Sequence, residues 1–347
     1  MITDVLIILV KIALVLGTIL LTVAYLALAE RKVSAFIQHR LGPNRVGPWG
    51  LLQPIADGVK FMFKEDIIPG HVDKVLYVLA PAAIIAPALM GFAVIPFGDT
   101  IHLFGRDITL QIADLNVGIL YILAISSLGV YGIVLGGWAS NNKYSLLGGL
   151  RSSAQLISYE LGLGLSIVGV LMMTGSLRLN EVVEAQTQMI GGVIPRWNVL
   201  IQPLGFLIFA VSAFAETNRL PFDLAEAEQE LVAGYHAEYS SMKFAMFYMA
   251  EYANMITASA LITTLFFGGW HLPWLISPDD TSLGASLLKV LTFVVKTGIF
   301  LFLYIWVRWT IPRFRYDHLM RLGWKVFLPL ALLNIFLTGT GLAVWGR

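Results

Sequence analysis

Cysteine is absent from the 347 residues. Its absence removes disulfides, thiolate nucleophiles, iron–sulfur ligation and Cys-type zinc sites together. Charge is scarce as well: Asp, Glu, Lys and Arg make up 13%, about half the share of an ordinary soluble domain. With a net charge of +1, nucleic acid is not a natural partner. His39, His71, His102, His236, His271 and His318 form no i,i+4 pair and no HExxH pattern, so no metal site is expected. No nucleophile–base–orienter set is present to support hydrolysis. Gly162-Leu163-Gly164 followed by Gly169 is no dinucleotide fingerprint, because it lies inside an apolar run where small residues serve helix packing. Internal repeats and low-complexity tails are also missing.

What the chain has is apolar length. It is 57% hydrophobic, with a mean hydropathy of +0.77. Apolar windows fall at about 2–29, 75–97, 115–138, 153–175, 197–216, 244–268, 285–307 and 325–345. Each can cross about 30 Å of hydrocarbon at 1.5 Å per residue. The expected fold is therefore an all-α polytopic membrane protein with about eight transmembrane helices, organised as one membrane domain over 1–347. Pro81 and Pro87 should kink the second span, and Pro96 lies near its end. Ala27-Leu28-Ala29 has the look of a cleavage site. The apolar stretch before it is too long for a signal peptide, and Asp4 rather than a basic cluster precedes it, so the first span is expected to be retained.

Basic residues give the orientation. The loops after odd-numbered spans collect sixteen Lys and Arg, whereas those after even-numbered spans hold only Arg106, Arg178 and Arg196. Odd loops should then be cytoplasmic, with both termini on the outer side. Within the cytoplasmic segment 31–74, Gly42–Pro48 reads as a rigid turn. Residues 51–65 follow, with Leu51, Leu52, Ile55, Val59, Met62 and Phe63 on one helical face and Asp57, Lys60 and Lys64 on the other. They predict an amphipathic helix at the membrane interface. The alternation across 99–112 predicts a small external β-hairpin.

Against this background the carboxylates are anomalous. Glu216, Asp223, Glu226, Glu228, Glu230, Glu238 and Glu251 fall between 216 and 251, with only Arg219 and Lys243 opposing them locally. The cytoplasmic loop 217–243 is thus acidic, although Leu220, Phe222, Leu231, Val232, Tyr235 and Tyr239 suggest that it folds back on the helices. Glu160 follows Arg151 by nine residues, ~13 Å along a helix. Glu251 follows Lys243 by eight, ~12 Å along. A charged carboxylate facing lipid at such depth costs about 2.5 kcal/mol or more, so these acids should face the bundle interior or a wet cavity. Desolvation and neighbouring carboxylates raise their pKa values, as a proton path requires. The plainer reading makes them ion-pair partners for Arg31, Arg219, Arg308, Arg313 and Arg315. Seven acids against two local bases favour the proton path. Lys11 and Lys289 read as snorkelling or locally paired cations, and Lys296 lies deeper.

Several strings resemble one family. Glu30-Arg31-Lys32, Gln38, Arg40, Gly42-Pro43-Asn44-Arg45-Val46-Gly47 and Leu51 through Lys60 are similar to the first cytoplasmic segment of the H-type membrane subunits of proton-pumping NADH:quinone oxidoreductases. Ser158-Tyr159-Glu160, the run from Ala215 to Leu231, Ala250-Glu251-Tyr252-Ala253-Asn254 and Pro312 to Asp317 also match, in order, from about 25 to 335. The Glu-Thr-Asn-Arg-x-Pro-Phe-Asp string is the most specific of these.

The resemblance implies a subunit that joins the hydrophilic arm to the membrane arm of respiratory complex I in a bacterial inner membrane. Carried over, Glu30, Arg31, Gln38, Asp57 and Gly58 would line or border a quinone-access chamber. Glu160, Glu216, Asp223, Glu226, Glu228 and Glu251 would belong to an acidic channel from the quinone site into the membrane. Arg219, Arg308, Arg313 and Arg315 would structure the cytoplasmic face. Quinone would be the substrate, with FMN and iron–sulfur clusters in partner subunits and no complete active site in this chain. The hydrophilic quinone-site subunits, other membrane subunits and the bilayer would be its partners. The homologous component of a hydrogenase, or of an F420H2 or plastoquinone oxidoreductase, is a close rival, separable by co-purifying subunits. An ion-coupled secondary transporter is a more distant one; it would usually show internal repeats, and would transport a solute in liposomes without partners.

Overall fold

In the computed structural model, which describes residues 2–103, 105–192, 194–225, 228–274 and 280–346, the apolar windows become helices. In chain order they are α1 (Ile2–Ile37), the short α2 (Gln53–Phe63) and α3 (Lys74–Met90). The hairpin strands β1 (Thr100–Leu103) and β2 (Arg106–Thr109) precede α4 (Gly118–Ala139) and α5 (Lys143–Thr174). A short α6 (Leu179–Ala185) and the strands β3 (Met189–Ile190) and β4 (Ile194–Pro195) lead into α7 (Asn198–Ile201) and α8 (Pro203–Glu216). Then come α9 (Glu228–Leu231), α10 (Ser241–Phe266), α11 (Leu283–Thr310), α12 (Tyr316–Arg321) and α13 (Leu328–Trp345).

Local chemistry sets the boundaries. The Asp73 carboxylate accepts from the N–H groups of Val75 and Leu76 and starts α3. Asn142 does the same for α5 through Tyr144, and that helix ends on Gly175 in the left-handed region. Among the described residues, six helices are long and apolar enough to span a membrane by length and composition. The other two expected spans differ for physical reasons. The fifth is broken: α8 has 14 residues, ~21 Å, and Pro203 interrupts its continuity with α7, at Gln202. The sixth, α10, carries Lys243, Glu251, Ser259, Thr263 and Thr264. It tolerates them because α10 is the most enclosed helix, with buried Ala250, Ala253, Met255 and Leu265.

Around α10 pack α3, α8 and α11, while α5 joins α4 to α8 and α13. Helix α1 lies at the periphery against α10 and α11, with much of its N-terminal half exposed. The expected hairpin forms, pairing Thr100 with Thr109 and Leu103 with Arg106. It belongs to the same end as the start of α1, since Arg106 bonds Asp4 and Lys11 donates to Thr109 and Gln111. The buried Lys289 pairs with the partly exposed Asp99 at 3.0 Å, while Lys296 is taken up by the carbonyls of Phe267, Gly269 and His271. One wider π-helical turn, Leu322–Phe327, leads into α13. It wraps Tyr159: Gly323 and Phe327 lie against the ring, the hydroxyl donates to Leu319 O, and Trp324 donates to neighbouring Ser158.

Candidate functional site: buried ion pairs beside an acidic cavity

At the end of the molecule opposite the hairpin, three segments distant in sequence meet over one guanidinium. Arg219, in the turn after α8, donates from Nη1 to Glu30 Oε2 at 2.6 Å and from Nε to Glu251 Oε1 at 2.5 Å. Arg308 near the end of α11 donates to the other oxygen of Glu30, and Tyr252 adds its hydroxyl at 2.7 Å. The Arg219 guanidinium also lies over the Tyr252 ring, 4.3 Å from its centroid. Its side chain is 1% exposed. Burial opposes the charge, but Glu251 and Glu30 outweigh it and hold the Arg219 pKa above its ordinary value.

Beside this network lies a narrow cavity of ≈ 40 Å³, where roughly 10–15 Å³ suffices for one water. Glu160 enters from α5, Glu216 from the end of α8 and Glu251 from α10. Ser126, Ser127, Thr217, Asn218, Tyr235 and Asn254 add polar groups to its wall, against Ile84, Ile133 and Leu156. Among the described residues no basic side chain forms an ion pair with Glu160 or Glu216, whereas Glu251 faces both the cavity and Arg219.

Loop acids with few basic neighbours in the local sequence find partners across the fold. Asp223 pairs with Arg313 at 3.0 Å, Glu230 with Arg151 at 2.7 Å, and Glu238 accepts from Asn142 at 2.8 Å. Their partners come from elsewhere in the chain, where local counting of charge cannot see them. Glu226 lies outside the described residues, and Glu228 begins α9.

The predicted chamber residues divide. Glu30 belongs to the buried network, while Arg31, next in the chain, turns outward to Asp57 at 2.7 Å. Asp57 also accepts from Lys60 at 3.1 Å and Gln53 at 3.3 Å. Burial tends to raise its pKa, but Lys60 and Arg31 prevail and hold it below the usual carboxylate range. Gly58 is exposed on α2 beside it, and Gln38 is exposed after α1, accepting from Arg40. The apolar side chains of α2, among them Ile55, Val59, Met62 and Phe63, are exposed as an interfacial helix requires. Arg315 pairs locally, with Asp317 at 3.2 Å. Tyr252, Asn218 and Gln155 were not singled out by sequence, although Tyr252 and Asn218 sit inside the matched strings next to Glu251 and Arg219.

A family profile described as NADH dehydrogenase matches residues 10–339. The chain belongs to the NADH dehydrogenase family. Its relatives include an NADH-quinone oxidoreductase subunit of the H type from Geobacter metallireducens, 54% identical over 97% of this chain and 96% of that protein. NADH-quinone oxidoreductase subunit 8 of Rhodothermus marinus is 54% identical over 96% of each chain. An H-type NADH-quinone oxidoreductase subunit of Cytophaga hutchinsonii is 51% identical over 93% of each. Membership in this family, with apolar helices long enough to span, makes the chain a multi-pass membrane protein.

Proposed function

We propose that this chain is the membrane subunit of a proton-pumping NADH:quinone oxidoreductase that forms the quinone-access chamber and begins the acidic path into the membrane. The subunit assignment follows from near full-length relatives that are named as H-type subunits of NADH-quinone oxidoreductase. The acidic path rests on one observation, the convergence of Glu160, Glu216 and Glu251 on a single cavity next to the Arg219 network. Glu226 and Glu228 are carried by the family resemblance alone.

Glu251 gives this arrangement its chemistry. One of its oxygens is fixed to Arg219, which is fixed to Glu30. A change of charge at the quinone side alters the field on Arg219 and Glu251, and through them the proton affinity of Glu216 and Glu160. Each of these acids can then take up and release a proton. Arg31, Asp57, Gly58 and Gln38 border the chamber on the exposed side of α1 and α2, where quinone passes along apolar surface. FMN and iron–sulfur clusters reside in the hydrophilic partner subunits, and the complex sits in a bacterial inner membrane with both termini of this chain outside.

Glu216→Gln and Glu160→Gln in the assembled enzyme test the acidic path. Each is expected to depress quinone-coupled proton translocation and turnover several-fold. Undiminished pumping and turnover in both would reject it.

A further inference from the structure

The cavity contains a neutral side chain whose orientation is decided outside it. The Nε2 group of Gln155 lies 2.7 Å from Ala215 O and 2.8 Å from Phe222 O. Backbone carbonyls only accept, so this end of the Gln155 amide must be the nitrogen. The same nitrogen lies 3.3 Å from Asn218 Oδ1, a weaker third contact beside its two carbonyl bonds. Ser152 donates to that oxygen at 3.2 Å. These two contacts orient the Asn218 amide with Oδ1 towards α5. Its Nδ2 has no bond to a protein group among the described residues, and Asn218 lines the cavity shared by Glu160, Glu216 and Glu251.

We propose that Asn218 is a positioning residue of the proton path, its Nδ2 donating to the water or carboxylate oxygen held between Glu216 and Glu251. This inference rests on the acidic-path reading. An amide N–H₂ donates and cannot accept. A water bonded to it therefore turns its oxygen towards Asn218, keeps one lone pair to accept from the protonated acid, and donates one hydrogen to the charged acid. That geometry fixes the bridge in the sense needed to pass a proton from one acid to the next. It also holds the acceptor acid in its charged form between transfers.

The plainer account is that Asn218 is present for its backbone, which lies in the left-handed region at φ 51°, where Asn and Asp are both favoured. Asn218→Asp separates the two. It keeps that backbone preference and an oxygen for Gln155 and Ser152, and replaces only the cavity-facing N–H₂. The charged and titratable groups around it are Glu160 on α5, Glu216 on α8, Tyr235, and Glu251 on α10 with its partner Arg219.

In the assembled complex, Asn218→Asp is expected to slow quinone-coupled turnover and pumping about tenfold at alkaline pH, the effect of one lost buried hydrogen bond. Activity should return as pH falls, because the protonated carboxyl regains a donor. Asn218→Ala should lose activity without that recovery. Wild-type activity of Asn218→Asp at every pH, or a loss equal at every pH, would overturn the proposal. If Asn218→Asp does not assemble, Asn218→Ser serves instead, since its hydroxyl accepts from Gln155 and reaches the cavity with at most one hydrogen. A several-fold loss supports the proposal and full activity overturns it. Failure of the acidic path itself would show in Glu216→Gln, whatever Asn218 does.

Discussion

The Nε of Arg219 lies 2.5 Å from Oε1 of Glu251, so a carboxylate that lines the acidic cavity is also a wall of the buried ion-pair network. Two systems that could have been separate share one side chain. Charge on either side of Glu251 is therefore felt on the other, through a low-dielectric interior that screens little.

Arg219→Gln takes the shared cation from Glu30 and Glu251 and is expected to destabilise the protein by about 3–5 kcal/mol. The double variant Arg219→Gln with Glu251→Gln should recover part of that loss, because it also removes a buried charge. Thermal dissociation of the purified complex in mild detergent measures both. Equal stability of the single variant and wild type would mean that the network is not held together by Arg219.

The Arg31–Asp57 pair should behave differently. Arg31 is 50% exposed, and pairs of this kind are worth up to about 1 kcal/mol. Arg31→Ala is expected to leave assembly and thermal stability nearly unchanged while raising KM for quinone more than it lowers kcat. Because the Asp57 pKa is held below the usual carboxylate range, its stabilising contribution is complete above that range. It is lost only as pH falls through the lowered folded value. Protection of α2 from hydrogen exchange, corrected for intrinsic rates, should follow that dependence and lose it in Asp57→Asn.

Helix packing gives a contrast between two glycines. A Cβ on Gly132 would come within 2.7 Å of the backbone nitrogen of Ile84, where α4 meets α3 beside the cavity. Gly132→Ala is expected to cost about 1–3 kcal/mol of overpacking and to lower the amount of assembled complex. Gly164 on α5 has nothing within 4 Å of such a Cβ, so Gly164→Ala should stabilise by roughly 0.5–1 kcal/mol. Immunoblots of membrane fractions distinguish the two.

The absence of Cys makes orientation directly measurable in this chain. Asp107→Cys on the hairpin is expected to react with an impermeant maleimide added to intact cells, and Lys60→Cys on α2 only after permeabilisation. The reverse pattern would invert the orientation read from the basic loops.

Most of the fold was legible because its causes are local. Apolar runs gave the helices, alternation gave the hairpin at Thr100–Thr109, and the face containing Ile55, Val59 and Met62 gave α2. The break at Gln202 was not read, because Pro203 at the start of a helix is ordinary by itself. It becomes a break only once Gln202 bonds Thr338 and Asn334 across the bundle. The two-residue strands at Met189 and Ile194 are too short for any periodicity. In the site, Glu160, Glu216 and Glu251 were found by their rarity in apolar surroundings. The pairing of Glu30 with Arg219 and Arg308 was not, because it joins positions 189 and 278 residues apart.

The π-helical turn at Leu322–Phe327 amounts to one residue of extra chain. Deleting a residue there would restore an ordinary helix and swing everything after it by about 100°. Asn334 would leave Gln202, which it now meets at 2.9 Å, and the exposed Leu332, Leu333 and Phe336 would turn inward. The phase of the last span is thus set by a count of residues, and a one-residue deletion at that turn should be more damaging than any single exchange of side chains along α13.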